Sequence, residues 1–201
     1  MTKPKSHLKA YILRTVTFFI VWFFVAAIIS YFALPEGILL SSNEAKDVSE
    51  QSSVLALAVS ILIRNLIPAA GLCAGCLVAV RIKNTNYPFA YLGLFTMFTI
   101  NAVTLGTWSF SAVQDAAPGL LSRLLRSFDL LHRAGLWEMV GLCLLVAALT
   151  NAAIVQIADG KPSINIKNFK LAKGEVLCLI CGFALLVIAA VVESNAVVAK
   201  M

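Results

Sequence analysis

Five long runs of apolar residues, separated by shorter polar segments, dominate the pattern along the chain. A membrane-crossing α-helix needs about 20 predominantly apolar residues, and each run is near or above that length. The pattern therefore predicts an all-α fold, a polytopic membrane helix bundle with five transmembrane helices. The predicted spans are 15–34, 54–80, 88–110, 135–157 and 175–192.

The connection between the third and fourth spans has the pattern of a further helix. Pro118 opens it, and Ser122, Arg123, Arg126 and Asp129 fall on one side. The other side carries Leu120, Leu121, Leu124, Leu125, Phe128 and Leu131. This spacing predicts an external amphipathic helix that lies on the membrane surface or caps the bundle.

Composition supports a membrane protein and limits the number of domains. The chain has 201 residues, of which 60% are apolar and 13% charged, whereas soluble domains have roughly 45–50% apolar and about 25% charged residues. We expect a basic cytoplasmic N-terminal tail, 1–14, followed by a single integral membrane domain, 15–201. The short connections 81–86 and 159–173 are predicted to be a tight basic turn and a basic loop.

The net charge of +6 does not indicate a nucleic-acid partner, because the basic residues cluster in particular short loops. Ten of them fall on one side of the predicted bundle, together with the N-terminus, and five on the other. Positive loops stay in the cytoplasm. The sequence therefore predicts an N-terminus inside, a C-terminus outside and the lipid bilayer as the first partner.

Polar side chains recur at one depth of the predicted bundle. Arg64 and Asn65 lie in the second span, Asn101 in the third, Glu138 in the fourth and His132 just before it. An ionised group inside a membrane costs about 3 kcal/mol or more, so such groups face a bundle interior or a pathway. We predict an Arg64–Glu138 ion pair, which either fixes helix register or marks a substrate or ion pathway.

Small residues and cysteines offer two further patterns. Gly71 and Gly75 form a G-x-x-x-G pattern, which lets another helix approach closely; Gly106 and Gly135 are predicted packing positions of the same kind. Two C-x-x-C pairs occur in the second and fifth spans: Cys73, Cys76, Cys178 and Cys181. Packing is the favoured interpretation, because cysteine behaves as a small hydrophobic residue, with a zinc site or a redox disulfide as alternatives.

Motifs of catalysis and nucleotide binding are absent. The sequence contains no Walker A loop, no H-E-x-x-H and no G-x-S-x-G, and no internal repeat is visible in it. We therefore predict a protein that is not an enzyme and that has no cofactor and no resident metal.

Three motifs carry a resemblance to a known family. They lie in the second span, in the third span and at the start of the fourth: Ile61-Leu62-Ile63-Arg64-Asn65-Leu66, Asn101-Ala102-Val103-Thr104-Leu105-Gly106 and Ala134-Gly135-Leu136-Trp137-Glu138-Met139. In these motifs the chain resembles the stage II sporulation protein M family of bacterial and archaeal membrane proteins. Arg64 stands where that family has asparagine, Ala102 where it has glycine and Ala134 where it has histidine.

The resemblance implies a bacterial or archaeal cytoplasmic membrane and three kinds of function. Relatives are encoded with ATP-binding-cassette transporters, which favours a membrane subunit of an export or immunity system with a separate ATPase. The family's name-giving member works beside peptidoglycan hydrolases, which makes a structural partner of envelope-remodelling enzymes the first alternative. An autonomous transporter or channel built around Arg64 and Glu138 is the second. Other membrane or ATPase subunits, or further copies of the chain, are the expected partners.

Overall fold

The chain folds into helices joined by short strands. A computed structural model describes residues 6–39, 54–82, 85–109, 119–130, 136–164, 166 and 169–198. Its helices are α1 (Ser6–Ala33), α2 (Val54–Gly75), α3 (Ala90–Gly106), α4 (Leu120–Leu130), α5 (Leu136–Leu149) and α6 (Lys173–Val198). Its strands are β1 (Val78–Ile82), β2 (Thr85–Pro88), β3 (Val155–Ala158) and β4 (Lys161–Ile164).

Three helices in this part of the chain are long and apolar enough to cross a membrane: Leu8–Ala33, Val54–Gly75 and Lys173–Asn195. The mainly helical, membrane-type fold predicted from the sequence is thereby confirmed. Helices α3 and α5 are apolar but shorter, with 17 and 14 residues. At about 1.5 Å per residue they extend about 26 and 21 Å. Strand β1 begins within the predicted end of the second span, β2 shares only Pro88 with the third, and β3 begins within the predicted end of the fourth.

Helix α5 lies at the centre of the bundle and packs against α1, α2, α3 and α6. It is apolar around its whole circumference apart from Glu138, which is the pattern of a buried helix. Its closest approach is to α6, where a Cβ atom added to Gly141 would lie 2.9 Å from the carbonyl oxygen of Gly182. Two glycines opposite each other therefore let these backbones meet.

The helices run in alternating directions between two ends of the bundle. Near the starts of α1 and α3, the hydroxyls of Thr15 and Tyr91 are hydrogen-bonded at 3.2 Å. Just after the end of α2, the Sγ atom of Cys76 lies 3.9 Å from the carbonyl oxygen of Val146, near the end of α5. Helices α1, α3 and α6 thus run away from the strands and α2 and α5 run toward them. We name the two ends the sheet end and the α4 end.

A four-stranded sheet closes the sheet end, in the order β2-β1-β3-β4. The hairpin β1–β2 joins α2 to α3 and the hairpin β3–β4 joins α5 to α6, and the two hairpins meet through the parallel pair β1–β3. The predicted tight turn 81–86 therefore contains residues of β1 and β2, and the predicted basic loop 159–173 contains β4. The all-α prediction missed these strands. The same helix–hairpin–helix order occurs twice, although no repeat is visible in the sequence.

Local chemistry accounts for the strands. Val78, Val80 and Ile82 alternate along β1, and β-branched residues favour extended backbone. Between β3 and β4, Asp159 and Gly160 have φ of 50° and 73°. Two successive residues with positive φ form the tight turn that matches the twist of a hairpin, and Asp-Gly is a preferred pair for it.

Candidate functional site at a buried arginine

The residues of the predicted intramembrane cluster differ in exposure. Arg64 lies on an exposed face of α2, Asn101 is exposed on α3, and Asn65 and Glu138 are partly buried. His132 lies outside the described residues, as does Gly135 of the predicted packing set.

The structure places Arg64 and Glu138 in different surroundings, the first exposed and the second partly buried. The buried stripe of α2 includes Ala58, Ala69 and Leu72, and Asn65 continues it at helical spacing. Arg64 is about 100° away from Asn65 around the helix and so points off this stripe. A charged neighbour of Glu138 is Glu193 of α6.

The most deeply buried charge of the described residues is Arg123 of α4, whose side chain is only 2% exposed. Its Nη1 atom donates a hydrogen bond of 2.5 Å to the carbonyl oxygen of Gly106 at the end of α3. Its Nη2 atom forms an ion pair with Oε1 of Glu36, just after α1. The guanidinium carbon lies 4.7 Å from the ring centroid of Tyr31 and 5.9 Å from that of Trp108.

The sequence pattern predicts Arg123 on the polar side of an amphipathic helix. The helix is present, but Arg123 faces the bundle, as does the neighbouring Leu124, which packs against the hydrophobic core. Leu121, which is 71% exposed, and Leu125 face outward, and exposed leucines suit a helix whose surroundings are lipid. Arg123 is therefore buried by α1 and α3 and was missed as a site residue.

A polar turn next to Arg123 links the end of α3 to the chain after α1. The hydroxyls of Thr107 and Ser109 are hydrogen-bonded at 2.6 Å, and both residues are buried. The amide of Gly37 donates to the carbonyl oxygen of Thr107 at 2.8 Å. Between these residues Trp108 has a φ of 54°, a left-handed conformation that costs a non-glycine residue about 1–2 kcal/mol. The surrounding contacts hold this turn in place.

The contacts of Arg123 join α4 to the ends of two other helices. Arginine offers a planar fork of donors, and its partners here are a carboxylate, a carbonyl oxygen and an aromatic face. Arg123 therefore acts as a latch that holds α4 on the ends of α1 and α3.

The predicted packing glycines behave differently from one another. A Cβ atom on Gly106 would lie 2.0 Å from Oγ of Ser30 and 2.4 Å from the carbonyl oxygen of Ala27, so α1 and α3 touch there. A Cβ atom on Gly75 would lie 3.1 Å from the backbone nitrogen of Ala90, whereas Gly71 has open space. Only one end of the G-x-x-x-G pattern is thus a close contact.

The four thiols of the C-x-x-C pairs are not gathered at one point. Cys76 is buried against α5, whereas Cys181 is exposed on α6. Across the described ranges, no group of three or more histidine, cysteine, aspartate or glutamate side chains is arranged to hold a metal ion.

Comparison with known proteins gives no family assignment: no protein-family model matches the chain, and neither a curated protein nor a solved structure shows significant similarity to it.

Proposed function

We propose that this chain is an integral membrane subunit of a larger complex and binds a cytoplasmic ATP-hydrolysing partner at its sheet end, as in an export or immunity system. The resemblance to the stage II sporulation protein M family supports this class of function. The observation that carries the proposal is the exposed edge of the sheet, where apolar side chains project away from the bundle.

The exposed edge is strand β4 and the residues after it. All four residues of β4 are exposed, Ile164 and Ile166 are 75% and 72% exposed, and Phe169 is exposed as well. An uncovered edge strand with apolar side chains is a site where another chain binds. Pro162 lacks one backbone donor, so the partner contacts side chains more than it extends the sheet.

Charge at the same end favours an acidic protein surface. Lys161, Lys170 and Lys173 are exposed around the apolar side chains. Apolar anchors with a basic rim fit a complementary protein surface, where charge steers the encounter. This is the end of the bundle that the loop charges place in the cytoplasm.

The sheet is firmly connected to the membrane helices, which suits a surface that transmits a partner's movement. The amides of Ile154 and Val155 both donate to the carbonyl oxygen of Leu77 at 2.9 Å. Glu175 accepts a hydrogen bond from the amide of Ala172 at 2.8 Å, and Nδ2 of Asn151 lies 3.5 Å from its other oxygen. A force on β4 therefore reaches α5 and α6 directly.

Affinity purification of the intact chain from its native membrane, in a mild detergent, tests the proposal. We expect an ATP-hydrolysing subunit to accompany the chain. Ile164→Asp should reduce its recovery at least about tenfold, because a buried carboxylate would replace an apolar anchor. Ile82→Asp, an equally apolar position on the other hairpin, is the matched control. A chain that purifies alone, or that loses the partner equally with both variants, contradicts the proposal.

We further propose that α3 and α5 cross the membrane together with the three longer helices, giving five spans with the N-terminus inside. Buried residues beyond their helical ends support the extra length: Thr107, Trp108 and Ser109 after α3, and Thr150, Ala152 and Ala153 after α5. In a variant with the five cysteines replaced by alanine, Lys161→Cys should react with an impermeant maleimide only in inverted vesicles. Gly119→Cys should react only in intact cells. The opposite pattern would reverse the orientation.

A structural partner of envelope-remodelling enzymes is the second candidate, and α4 is the feature that favours it. Leu121 and Leu125 form an exposed apolar strip on a helix at the end opposite the sheet. A photocrosslinker placed at Leu121 should then capture a cell-wall hydrolase. Crosslinks to lipid alone would remove this candidate.

A further inference from the structure

A cavity of about 340 Å³ opens between α1, α3 and β2 at the sheet end. It is separate from the Arg123 latch, which lies at the α4 end, and from the exposed edge at β4, since β2 is the opposite edge of the sheet. Sites that bind small molecules have volumes of about 300–1,000 Å³. The cavity is therefore large enough for a head group and the first part of an acyl chain.

The membrane side of the cavity is apolar and open. Phe18, Leu92 and Phe95 line it and are all exposed on the outside of the bundle. Phe18 belongs to Leu8–Ala33, one of the helices suited to cross a membrane. In a bilayer this wall faces hydrocarbon, so a ligand with an acyl chain can enter from the lipid.

The other side of the cavity is polar and basic. Arg14 is exposed and lines it, together with Thr85 and Asn86 of β2 and the phenols of Tyr11 and Tyr87. The 19 residues from Thr15 to Ala33, the rest of the apolar stretch Leu8–Ala33, extend about 28 Å, which is close to the thickness of the hydrocarbon core. Arg14 therefore lies at the level of the lipid head groups, where its planar fork matches phosphate oxygens.

The wall between α1 and α3 is preformed. Thr15 and Tyr91, which both line the cavity, share a hydrogen bond of 3.2 Å. About two turns further, Nε1 of Trp22 donates to Oγ1 of Thr99 at 2.9 Å, and the Trp22 ring stacks on Phe95 at 4.6 Å between centroids. These contacts fix the spacing of the two helices, so binding needs no rearrangement of the bundle.

We infer that this cavity binds one anionic glycerophospholipid from the surrounding leaflet. Its phosphodiester pairs with the guanidinium of Arg14 and accepts from Asn86, and its first methylenes cover Phe18, Leu92 and Phe95. A free phosphate would satisfy the arginine but leave the apolar wall uncovered. The bound lipid ties β2, and through it the sheet, to the membrane surface.

Lipid retention by the intact chain tests the inference. The protein is placed in nanodiscs of phosphatidylcholine with or without phosphatidylglycerol, extracted, and the lipid that stays bound is counted by native mass spectrometry. We expect one retained phosphatidylglycerol, and we expect Arg14→Gln to weaken its retention about tenfold, because a charge-assisted bidentate contact is lost. Lys9→Gln removes an equally exposed charge of the same helix that does not line the cavity, and it should retain the lipid.

A second variant keeps the arginine and fills the apolar wall. Leu92→Trp should also lower retention about tenfold, because the indole takes the space of the acyl chain, and it decides the question if Arg14→Gln does not fold. Equal loss with Lys9→Gln would overturn the inference, as would equal retention of phosphatidylcholine. So would displacement of the lipid by glycerol 3-phosphate, which would show a free-phosphate site.

Discussion

The two ends of the bundle are closed by different kinds of interaction. At the α4 end, one side chain from a separate helix reaches across: Arg123 contacts Tyr31 and Glu36, in and just after α1, and Gly106 at the end of α3. At the sheet end, backbone hydrogen bonds of two hairpins close the bundle, and the side chains of β4 stay exposed.

The α4 end is therefore held in one arrangement by side-chain contacts, whereas the sheet end has a surface available for binding. A buried guanidinium is stable only while its partners remain in place, so the α4 end has one preferred arrangement. A sheet satisfies its own backbone and leaves its outer edge and side chains free to bind. Substitutions at one end should leave the other end unchanged, and the largest loss of stability is expected at the Arg123 latch.

Arg123→Ala should cause the greatest loss of stability. The change removes a charge-assisted hydrogen bond and a cation–π contact and leaves the carbonyl oxygen of Gly106 without this donor. We expect the free energy of unfolding to fall by about 3 kcal/mol. The measurement is thermal unfolding of the purified chain in mild detergent.

Arg123→Lys and Arg81→Ala are the controls for this change. Lysine keeps the charge but lacks the planar fork, so it should recover only part of the stability. Arg81 is exposed at the sheet end, and its loss should change the unfolding free energy by less than about 0.5 kcal/mol. Equal effects of Arg123→Ala and Arg81→Ala would show that the latch does not hold the α4 end.

Gly106→Ala should be the next largest change. The new Cβ atom would meet Ser30 and Ala27 well inside contact distance, and forcing α1 and α3 apart should lower the free energy of unfolding by about 1–3 kcal/mol. Gly71→Ala is the matched control, since Gly71 has open space around it. That variant should be neutral or raise helix stability by up to about 1 kcal/mol. The same sign for both would contradict the close contact at Gly106.

The helices of this fold could be predicted from composition, but the residues at which they begin and end could not. The apolar runs place each long helix correctly because lipid and core select the same residues. Helix α1 nevertheless begins at Ser6, inside the predicted tail 1–14, and β1 and β3 shorten the second and fourth predicted spans. The Asp159-Gly160 turn and the alternation in β1 were available signals for the strands.

The latch could not be predicted, for a physical reason. Helical periodicity separates the two sides of α4 but does not say which side faces the bundle, because leucine side chains are stable both in a protein core and in lipid. The carboxylate of Glu36 and the guanidinium of Arg123 are far apart in sequence, and their meeting depends on how α1, α3 and α4 pack. Arg64 is a predicted site residue only because it is a charged residue within the longest predicted span.

At the sheet end, Gly160→Val should loosen β4 without affecting the bundle. Gly160 has a φ of 73°, and a β-branched residue in that region costs about 1–2 kcal/mol. We expect faster hydrogen exchange of the β3 and β4 amides at an unchanged thermal unfolding midpoint. Gly119→Val, in open space at the other end, should leave this exchange unaltered. A fall in the midpoint with Gly160→Val would mean that the sheet also holds the helices.

The smallest effect should come from Glu175, where the sheet end passes into α6. Its carboxylate accepts from the amide of Ala172, the residue just before the helix, in the manner of the acidic member of a capping box. Glu175→Ala should lower the free energy of unfolding by about 1 kcal/mol, and Glu175→Gln, which keeps an acceptor oxygen, should recover most of that loss. Equal loss in both variants would show that charge at the start of the helix, rather than the hydrogen bond, provides the stabilisation. In either case the effect should be well below that of Arg123→Ala, because a cap orders one helix start whereas the latch joins three helices.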